Sequence, residues 1–216
     1  MQVEKSDTPS PGDRSGSIDD QLGALRRDID SVDRQIVELL NRRASLAQHV
    51  GEVKKLVDAP VYRPEREAQI FAKLDAINTG PLPSAGIVAV YREIISACRE
   101  LERRMRVAYL GPAGTFSEQA LLKHFGSSVD PIPCVSIDEV FRATESGTAD
   151  FGVVPVENSS EGAVNRSLDL LLQTTLPICG EVSIAVRHNL MSSTGALDGV
   201  SRVCAHPQAL AQCQSW

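Results

Sequence analysis

A heptad pattern of apolar residues constrains this chain more than any other feature. Apolar side chains recur alternately every four and three residues from Ile18 to Val57, which is the pattern of one long helix with a buried seam. At ~1.5 Å per residue, such a helix spans roughly 60 Å. Short helices of the same chain are too small to cover that length. The pattern therefore predicts a second copy of the chain as the partner of this helix.

Arg43 interrupts the seam at a position where the heptad rhythm requires an apolar residue. A buried arginine is costly unless a carboxylate or another anion meets it. Lys54 follows after about three complete turns and projects from the same side of the helix. Ala47 and Gly51 leave space between the two cations. These features indicate an anion pocket, although both cations could instead reach solvent or pair with acidic side chains.

Two shorter helices and an N-terminal tail complete the first half of the chain. Proline-containing breaks at 59–64 and 80–83 end the long helix and separate helices predicted at about 65–78 and 84–104. Residues 1–17 are rich in Ser, Pro, Gly and charged residues and contain no apolar segment. They are predicted to form a disordered tail, not a signal peptide.

The second half, from residue 106, alternates short Val- and Ile-rich runs with helical patterns. Such alternation predicts a mostly parallel sheet flanked by helices, which binds ligands at the carboxyl ends of its strands. Two Ser/Thr-x-x-Glu capping boxes, at 115–118 and 136–139, mark helix starts. The predicted strands are 107–110, 132–135, 150–156 and 178–186; the first two helices are expected to end near 125 and 146, and the third to span 162–172.

Polar residues follow the first and third predicted strands. Thr115 and Ser117 come after the first, and Asn158 and Ser159 come after the third. Each group could simply cap the helix behind it, whereas two polar loops at one edge of a sheet favour a ligand site. The glycine turn at 111–114 has neither the Walker nor the dinucleotide-binding pattern, so the expected anion is not a nucleotide.

Composition excludes several classes of function. The net charge of −6 argues against nucleic-acid binding. The five cysteines and four histidines lack metal-ligand spacing, which favours free thiols in a reducing compartment and no metal site. No apolar run reaches membrane-spanning length. The sequence therefore predicts a cytoplasmic protein without a membrane partner.

The helical half resembles the all-helical chorismate mutase family. The resemblance rests on LRRDID at 25–30, LLNRRASLAQHVGEVK at 39–54 and PVYRPERE at 60–67. It implies a three-helix domain at 18–105 that forms an intertwined homodimer and rearranges chorismate, a dicarboxylate, to prephenate. That rearrangement is intramolecular and needs no cofactor, so the protein supplies positioning and charge stabilisation.

The resemblance also implies roles for individual residues. Arg43 would bind one carboxylate, and Arg26 would reach the other from the partner chain. Lys54 would donate to the ether oxygen and a carboxylate. Glu67 would bind the ring hydroxyl with Arg66 in support. The predicted catalytic residues are Arg43, Lys54 and Glu102, and the predicted substrate-binding residues of the mutase are Arg26, Arg43, Lys54, Arg66, Glu67, Cys98 and Glu102.

Three positions depart from the family pattern. Arg63 stands where an Asp is often found, Cys98 where a Ser can occur, and Glu102 where a Gln can occur. A glutamate that donates to the ether oxygen has to carry its proton, so mutase activity is expected to fall as pH rises. Taken without the resemblance, the position of Glu102 beside the seam favours an ordinary surface residue.

The second half resembles the prephenate dehydratase family. The resemblance rests on YLGPAGTFS at 109–117, VPVENSSEGAV at 154–164 and EVSIAVRHNL at 181–190. It implies α/β lobes like those of a periplasmic binding protein, with prephenate in the cleft losing carbon dioxide and water to give phenylpyruvate. Its implied prephenate-binding residues here are Thr115, Ser117, Asn158 and Ser159.

The family's catalytic Thr-Arg-Phe motif does not occur in these 216 residues, and neither does its regulatory ACT domain. The expectation is a multidomain, C-terminally truncated member of the bifunctional chorismate mutase/prephenate dehydratase (P-protein) family of phenylalanine synthesis. Its region 106–216 would be the N-terminal part of the dehydratase, with that activity impaired.

Two other interpretations remain. The chain could be a helical dimerisation module with a degenerate lobe, but Arg43 in the seam argues against a pure coiled coil. It could also be a small-anion binding protein, which the absent signal peptide and the fused helical half disfavour.

Overall fold

The computed structural model describes residues 11–57, 59–158, 162–205, 209–210 and 213, with side chains from residue 18 onward. The chain divides into two compact units, and the division falls between Ala59 and Pro60 in the sequence. The sequence-based boundary between residues 105 and 106 lies inside the second unit. The domain ranges 18–105 and 106–216 therefore remain predictions.

The first unit contains one long helix, α1 (Pro11–Leu56). The predicted helix is confirmed, but it begins before residue 18, at a proline, whose fixed φ suits a first helical position. The predicted tail thus retains only residues 1–10, which lie outside the described residues. The seam side chains between Ile18 and Val57 are 44% to 71% exposed within this single chain. An apolar stripe of this length is typical of an interaction surface.

The second unit begins with two helices, α2 (Pro64–Ile77) and α3 (Ser84–Glu100). Both start at or just after a proline, as the sequence breaks predict. The guanidinium of Arg92 on α3 lies 5.4 Å from the centre of the Phe71 ring on α2. Helix α3 ends earlier than predicted, so Glu102 lies in the turn behind it, where its N–H donates to the Arg99 carbonyl at 3.0 Å.

A three-stranded parallel sheet forms the centre of the second unit, which confirms the predicted α/β class. The strands are β1 (Arg106–Leu110), β2 (Asp130–Cys134) and β3 (Phe151–Val153), and the helices are α4 (Phe116–Phe125), α5 (Ile137–Glu145) and α6 (Asn165–Gln173). The strand order is β2-β1-β3, so the most buried strand lies in the middle. Helix α4 connects β1 to β2 and α5 connects β2 to β3, as parallel connections require.

The two faces of the sheet have separate cores. Val107 and Tyr109 point to one face and Ala108 to the other, because successive side chains of a strand alternate. Tyr62, from the segment before α2, packs in the same core as Phe125 of α4. The chain before β1 and the sheet therefore share one buried core.

The third predicted helix begins later than expected. A short antiparallel hairpin, β4 (Glu157–Asn158) and β5 (Gly162–Ala163), takes up the residues in front of it. Gly162 adopts φ +79°, which lies outside helical geometry. Helix α6 consequently begins at Asn165, three residues after the predicted start at 162.

The fourth predicted strand, 178–186, is wrong: this segment has no regular secondary structure. It lies along α4 instead, with Gly180 against the His124 ring and the Ser183 carbonyl accepting a hydrogen bond from Lys123 Nζ at 2.7 Å. Further along, His188 packs against Phe116 at the start of the helix. An alternating pattern predicts an extended chain, whereas a strand also requires a neighbouring strand to pair with.

Candidate functional site

The glycine turn after β1 is organised by the N-cap of α4. Thr115 Oγ1 donates to the Leu110 carbonyl at 3.2 Å and accepts from the Glu118 N–H at 3.5 Å. The Glu118 carboxylate accepts from the Gly114 N–H at 2.5 Å and from the Tyr109 hydroxyl at 3.3 Å. The predicted capping box is therefore present, with its glutamate bound one residue earlier than the usual partner. Thr115 holds the loop in shape through both of its hydrogen bonds.

Ser117 is the side chain of this loop that is available for a ligand. It is half-buried in the first turn of α4, and its hydroxyl makes no hydrogen bond to any other part of the chain that the structure describes. Free N–H groups and the helix dipole favour an anion at such a helix start. The loop geometry thus supports anion binding at Ser117 more directly than at Thr115.

The third-strand loop leaves the same edge of the sheet. Strands β1 and β3 are parallel neighbours, with Tyr109 in register with Val153, so the loops behind them start side by side. Asn158 lies in β4 and is half-buried. The buried Ser167 hydroxyl donates to the Pro155 carbonyl at 2.6 Å and so fixes the approach to this loop. Ser159 lies outside the described residues.

A second polar cluster lies between α2, α3 and α4. The guanidinium of Arg99 forms a short ion pair with Glu67 and donates from Nη2 to the Phe125 carbonyl at 2.5 Å. Arg99 is 6% exposed and the Glu67 side chain 13%. The same guanidinium lies 5.1 Å from the centre of the Tyr62 ring. A candidate substrate ligand, Glu67, is therefore held by a buried cation.

The electrostatics of this cluster join both candidate glutamates. Burial raises the pKa of Glu67, and the guanidinium groups of Arg99 and Arg92 oppose that shift. Burial lowers the pKa of Arg99, while the charges of Glu67, Tyr62 and Glu102 act in the opposite direction. Glu102 is thus close enough to Arg99 to affect its pKa. The charges of both glutamates thus act on the Arg99 guanidinium, and Glu67 is the one that pairs with it directly.

The other predicted mutase residues are distributed over both units. Cys98 is a buried free thiol on α3, next to Arg99. Arg66 is exposed on α2 and does not join the Arg99 cluster. On α1, Arg43 and Lys54 are half-buried and Arg26 is exposed. The structure groups the α1 cations in one compact unit and the candidate glutamates in the other.

Arg99, Tyr62 and His124 were missed by the sequence analysis. The Tyr62 hydroxyl is 2.9 Å from His124 Nε2, and burial, followed by the charges of Arg92 and Arg99, lowers the pKa of His124. Arg99 follows Ile95 by one helical turn and lies on the same side of α3, and this spacing from an apolar residue was the available signal that Arg99 is buried. Because Ser96 and Arg99 are polar, this face of α3 resembles a solvated one in the sequence.

No group of three or more His, Cys, Asp and Glu side chains within the described residues is arranged to hold a metal ion. Among the helices described, none is long and apolar enough to cross a membrane.

Comparisons with known proteins agree with both halves of the sequence. The sequence model of the prephenate dehydratase family matches residues 107–216, and that of type II chorismate mutase matches residues 25–103. Two curated bifunctional chorismate mutase/prephenate dehydratases, from Stutzerimonas stutzeri and Pseudomonas aeruginosa, are 49% and 48% identical over 203 residues. In each comparison 91% of this chain is covered, but only 56% of the relative.

A solved chorismate mutase from Thermus thermophilus is 38% identical, and the match covers 39% of this chain and 96% of that one. Its TM-score of 0.38 is too low to bear on the fold. This chain spans about half the length of the curated relatives it matches. On the match over 107–216 and the adjoining mutase segment, the chain belongs to the prephenate dehydratase family, in the bifunctional group that carries a chorismate mutase domain in front.

Proposed function

We propose that residues 18–105 catalyse the rearrangement of chorismate to prephenate, as the first of two fused activities in L-phenylalanine synthesis. The observation that carries this proposal is the mutase match over 25–103, which contains every predicted mutase ligand. The reaction breaks an ether bond within one molecule while negative charge develops on the ether oxygen. Orientation by cations and a preorganised donor therefore suffices, without cofactor or covalent intermediate.

In this proposal the cations of α1 bind the charged groups of the substrate. Arg43 binds one carboxylate, and Lys54 donates to the ether oxygen and a carboxylate. Glu67 accepts a hydrogen bond from the ring hydroxyl, and Glu102, in its acid form, donates to the ether oxygen. The half-buried state of Arg43 and Lys54 supports these roles, because partial desolvation strengthens an ion pair with a ligand. Arg66 and Cys98 support the site from α2 and α3.

The active form in this proposal is an intertwined homodimer. The exposed apolar seam of α1 supports a second copy as its partner. Arg26 is exposed and lies about 100° around the helix from Arg43, which suits a side chain that binds the second carboxylate in the partner's site. The free cysteines among the described residues support a reducing cytosolic location.

Residues 106–216 in turn bind prephenate, as part of a two-lobed, periplasmic-binding-protein-like dehydratase. The adjacent loops behind β1 and β3 support this role. The hydroxyl of Ser117 and the N-terminus of α4 bind a prephenate carboxylate, Thr115 keeps the loop in place, and Asn158 and Ser159 contribute from the other loop. The product of the first domain is thereby the ligand of the second.

An assay in two steps tests the proposal: chorismate loss is followed first, and phenylpyruvate is then measured. We expect chorismate to be consumed and prephenate to accumulate with little phenylpyruvate, because the 216 residues contain no Thr-Arg-Phe. Lys54→Ala should lower kcat/KM, because losing a preorganised donor raises the activation barrier by roughly 3 kcal/mol. The exposed neighbour Lys55→Ala serves as the matched control.

A folded dimer that leaves chorismate untouched would refute the mutase proposal. Robust phenylpyruvate production by this chain alone would show that the expected impairment of the dehydratase is wrong.

A further inference from the structure

One stripe of α3 binds the C-terminal end of α4. The stripe consists of Glu93, Ser96 and Arg99, which recur every three residues and so lie on one face of the helix. Three backbone groups, at the end of α4 and in the turn after it, bind this stripe. The Phe125 carbonyl accepts from Arg99 at 2.5 Å, the Ser127 N–H donates to Glu93 at 3.1 Å, and the Ser128 N–H donates to Ser96 at 3.1 Å.

The fit between α3 and this turn is close. Gly126 adopts φ +80°, and a Cβ added to it would lie 2.5 Å from the Ser96 Cβ. The last carbonyls of a helix lack partners within the helix, and a cation is favoured there by the helix dipole. Arg99 supplies both the donor and the charge at the end of α4.

The same guanidinium also holds Glu67 on α2. Its Nη1 pairs with the Glu67 carboxylate while its Nη2 binds the Phe125 carbonyl. A planar guanidinium can serve two acceptors in fixed directions at once, whereas an ammonium group acts as a point charge. The orientation of Glu67 is consequently tied to the position of α4.

We propose that Arg99 is a positioning residue of the mutase site. It orients the Glu67 carboxylate for the substrate hydroxyl and fixes the position of that carboxylate relative to the end of α4. This inference rests on the proposed mutase function, in which Glu67 binds substrate. Arg99 touches no reacting atom; it acts through Glu67. The N-terminal end of the same α4 carries the anion loop with Ser117, so one helix connects the two candidate sites.

The groups around Glu67 determine how the loss of Arg99 would affect it. Arg92 and Arg99 face Glu67 from α3, and Tyr62 faces it from the segment before α2. Glu102, behind α3, acts on Arg99, and His124 of α4 binds the Tyr62 hydroxyl. Cys179, from the segment along α4, acts on Tyr62. Without Arg99, Arg92 is the one remaining cation among the described residues that opposes the effect of burial, and the pKa of Glu67 rises further.

Steady-state kinetics of Arg99→Gln, Arg99→Lys and the control Arg104→Gln test the proposal in the full chain. Arg104 is exposed and pairs with Glu100 one turn away on the surface. Arg99→Gln should raise KM for chorismate about tenfold, with a smaller change in kcat, through loss of a charge-assisted hydrogen bond. The decline of kcat/KM on the acidic side of its pH profile should begin at a higher pH than in the wild type, because the pKa of Glu67 rises. Arg99→Lys should keep the wild-type limb with an intermediate KM, and Arg104→Gln should match the wild type.

A double-mutant cycle with Glu67→Gln separates positioning from a general structural role. If Arg99 acts through Glu67, adding Arg99→Gln to Glu67→Gln should change KM by less than about twofold. An equal effect of Arg99→Gln in both backgrounds, or an unchanged KM and pH limb in the single variant, would overturn the proposal. Should Arg99→Gln fail to fold by circular dichroism, Arg99→Lys decides, since a wild-type KM there also overturns it. An inactive wild type would instead refute the mutase function itself.

Discussion

Replacing Gly126 by alanine should destabilise the second unit strongly, because two separate costs coincide at this position. Gly126 adopts φ +80° and ψ −178°, a conformation that is essentially restricted to glycine and costs other residues about 1–3 kcal/mol. The new Cβ would also lie 2.5 Å from the Ser96 Cβ and 2.6 Å from its Oγ. Displacing Ser96 breaks its hydrogen bond with the Ser128 N–H, worth about 0.5–1.5 kcal/mol. The free energy of unfolding should fall by roughly 2–4 kcal/mol.

Gly147→Ala is the matched control for the backbone cost. Gly147 adopts φ +73°, and no described atom comes within 4 Å of an added Cβ, so its substitution should cost only about 1–2 kcal/mol. Urea unfolding followed by circular dichroism measures both variants. In a cycle with Ser96→Gly, the contact part of the Gly126→Ala cost should disappear while the backbone part remains. Equal costs for the two alanine variants, or strict additivity with Ser96→Gly, would refute the reasoning.

Three further predictions concern Thr115 at the N-cap of α4, the partly buried His124, and Glu102. Thr115→Ala should lower the free energy of unfolding by about 1 kcal/mol, because the N-cap acceptor of α4 is lost; urea titration measures this, and Thr115→Ser, which keeps the hydroxyl, should match the wild type. Burial holds the pKa of His124 below 6.5 in the folded state, so protonation favours unfolding and stability should fall as pH drops through that range. In His124→Gln the decline of the unfolding free energy as pH falls below 6.5 should be smaller, and a pH dependence equal to that of the wild type would contradict this. Glu102→Ala should lower kcat of the mutase reaction roughly 10²- to 10³-fold, because the proposed donor to the ether oxygen is lost, and an unchanged kcat would contradict that role.

The elements that the sequence predicted correctly are those with local signals. Thr115 and Ser136 both cap helices through the N–H three residues later, as their capping boxes predict. In both cases the glutamate binds the N–H of the residue before the cap residue, at Gly114 and Val135. The pattern fixes which residues take part, whereas the last hydrogen bond depends on how the preceding loop turns.

The errors arose where a distant part of the chain decides the outcome. The 178–186 segment alternates like a strand, yet its Ser183 carbonyl is bound by Lys123 of α4. Arg99 received no prediction from the sequence, and it is buried because Glu67 and Phe125 supply its acceptors. In both cases the partner lies far away in the sequence, and periodicity carries no information about it.

The same distinction explains why the composition shift near residue 105 does not coincide with a boundary between compact units. The shift separates helix-rich from strand-rich sequence, and the two family matches, 25–103 and 107–216, follow it. The buried core crosses this boundary, because Tyr62 packs against Phe125 and Phe151 in the core beside β1. A cut at residue 105 would expose that tyrosine and remove the Phe125 carbonyl, which is one of the two acceptors of Arg99. The segment that contains the candidate residues Glu67 and Glu102 therefore depends for its packing on residues after β1, and Arg99 joins the two parts through its hydrogen bond to the Phe125 carbonyl.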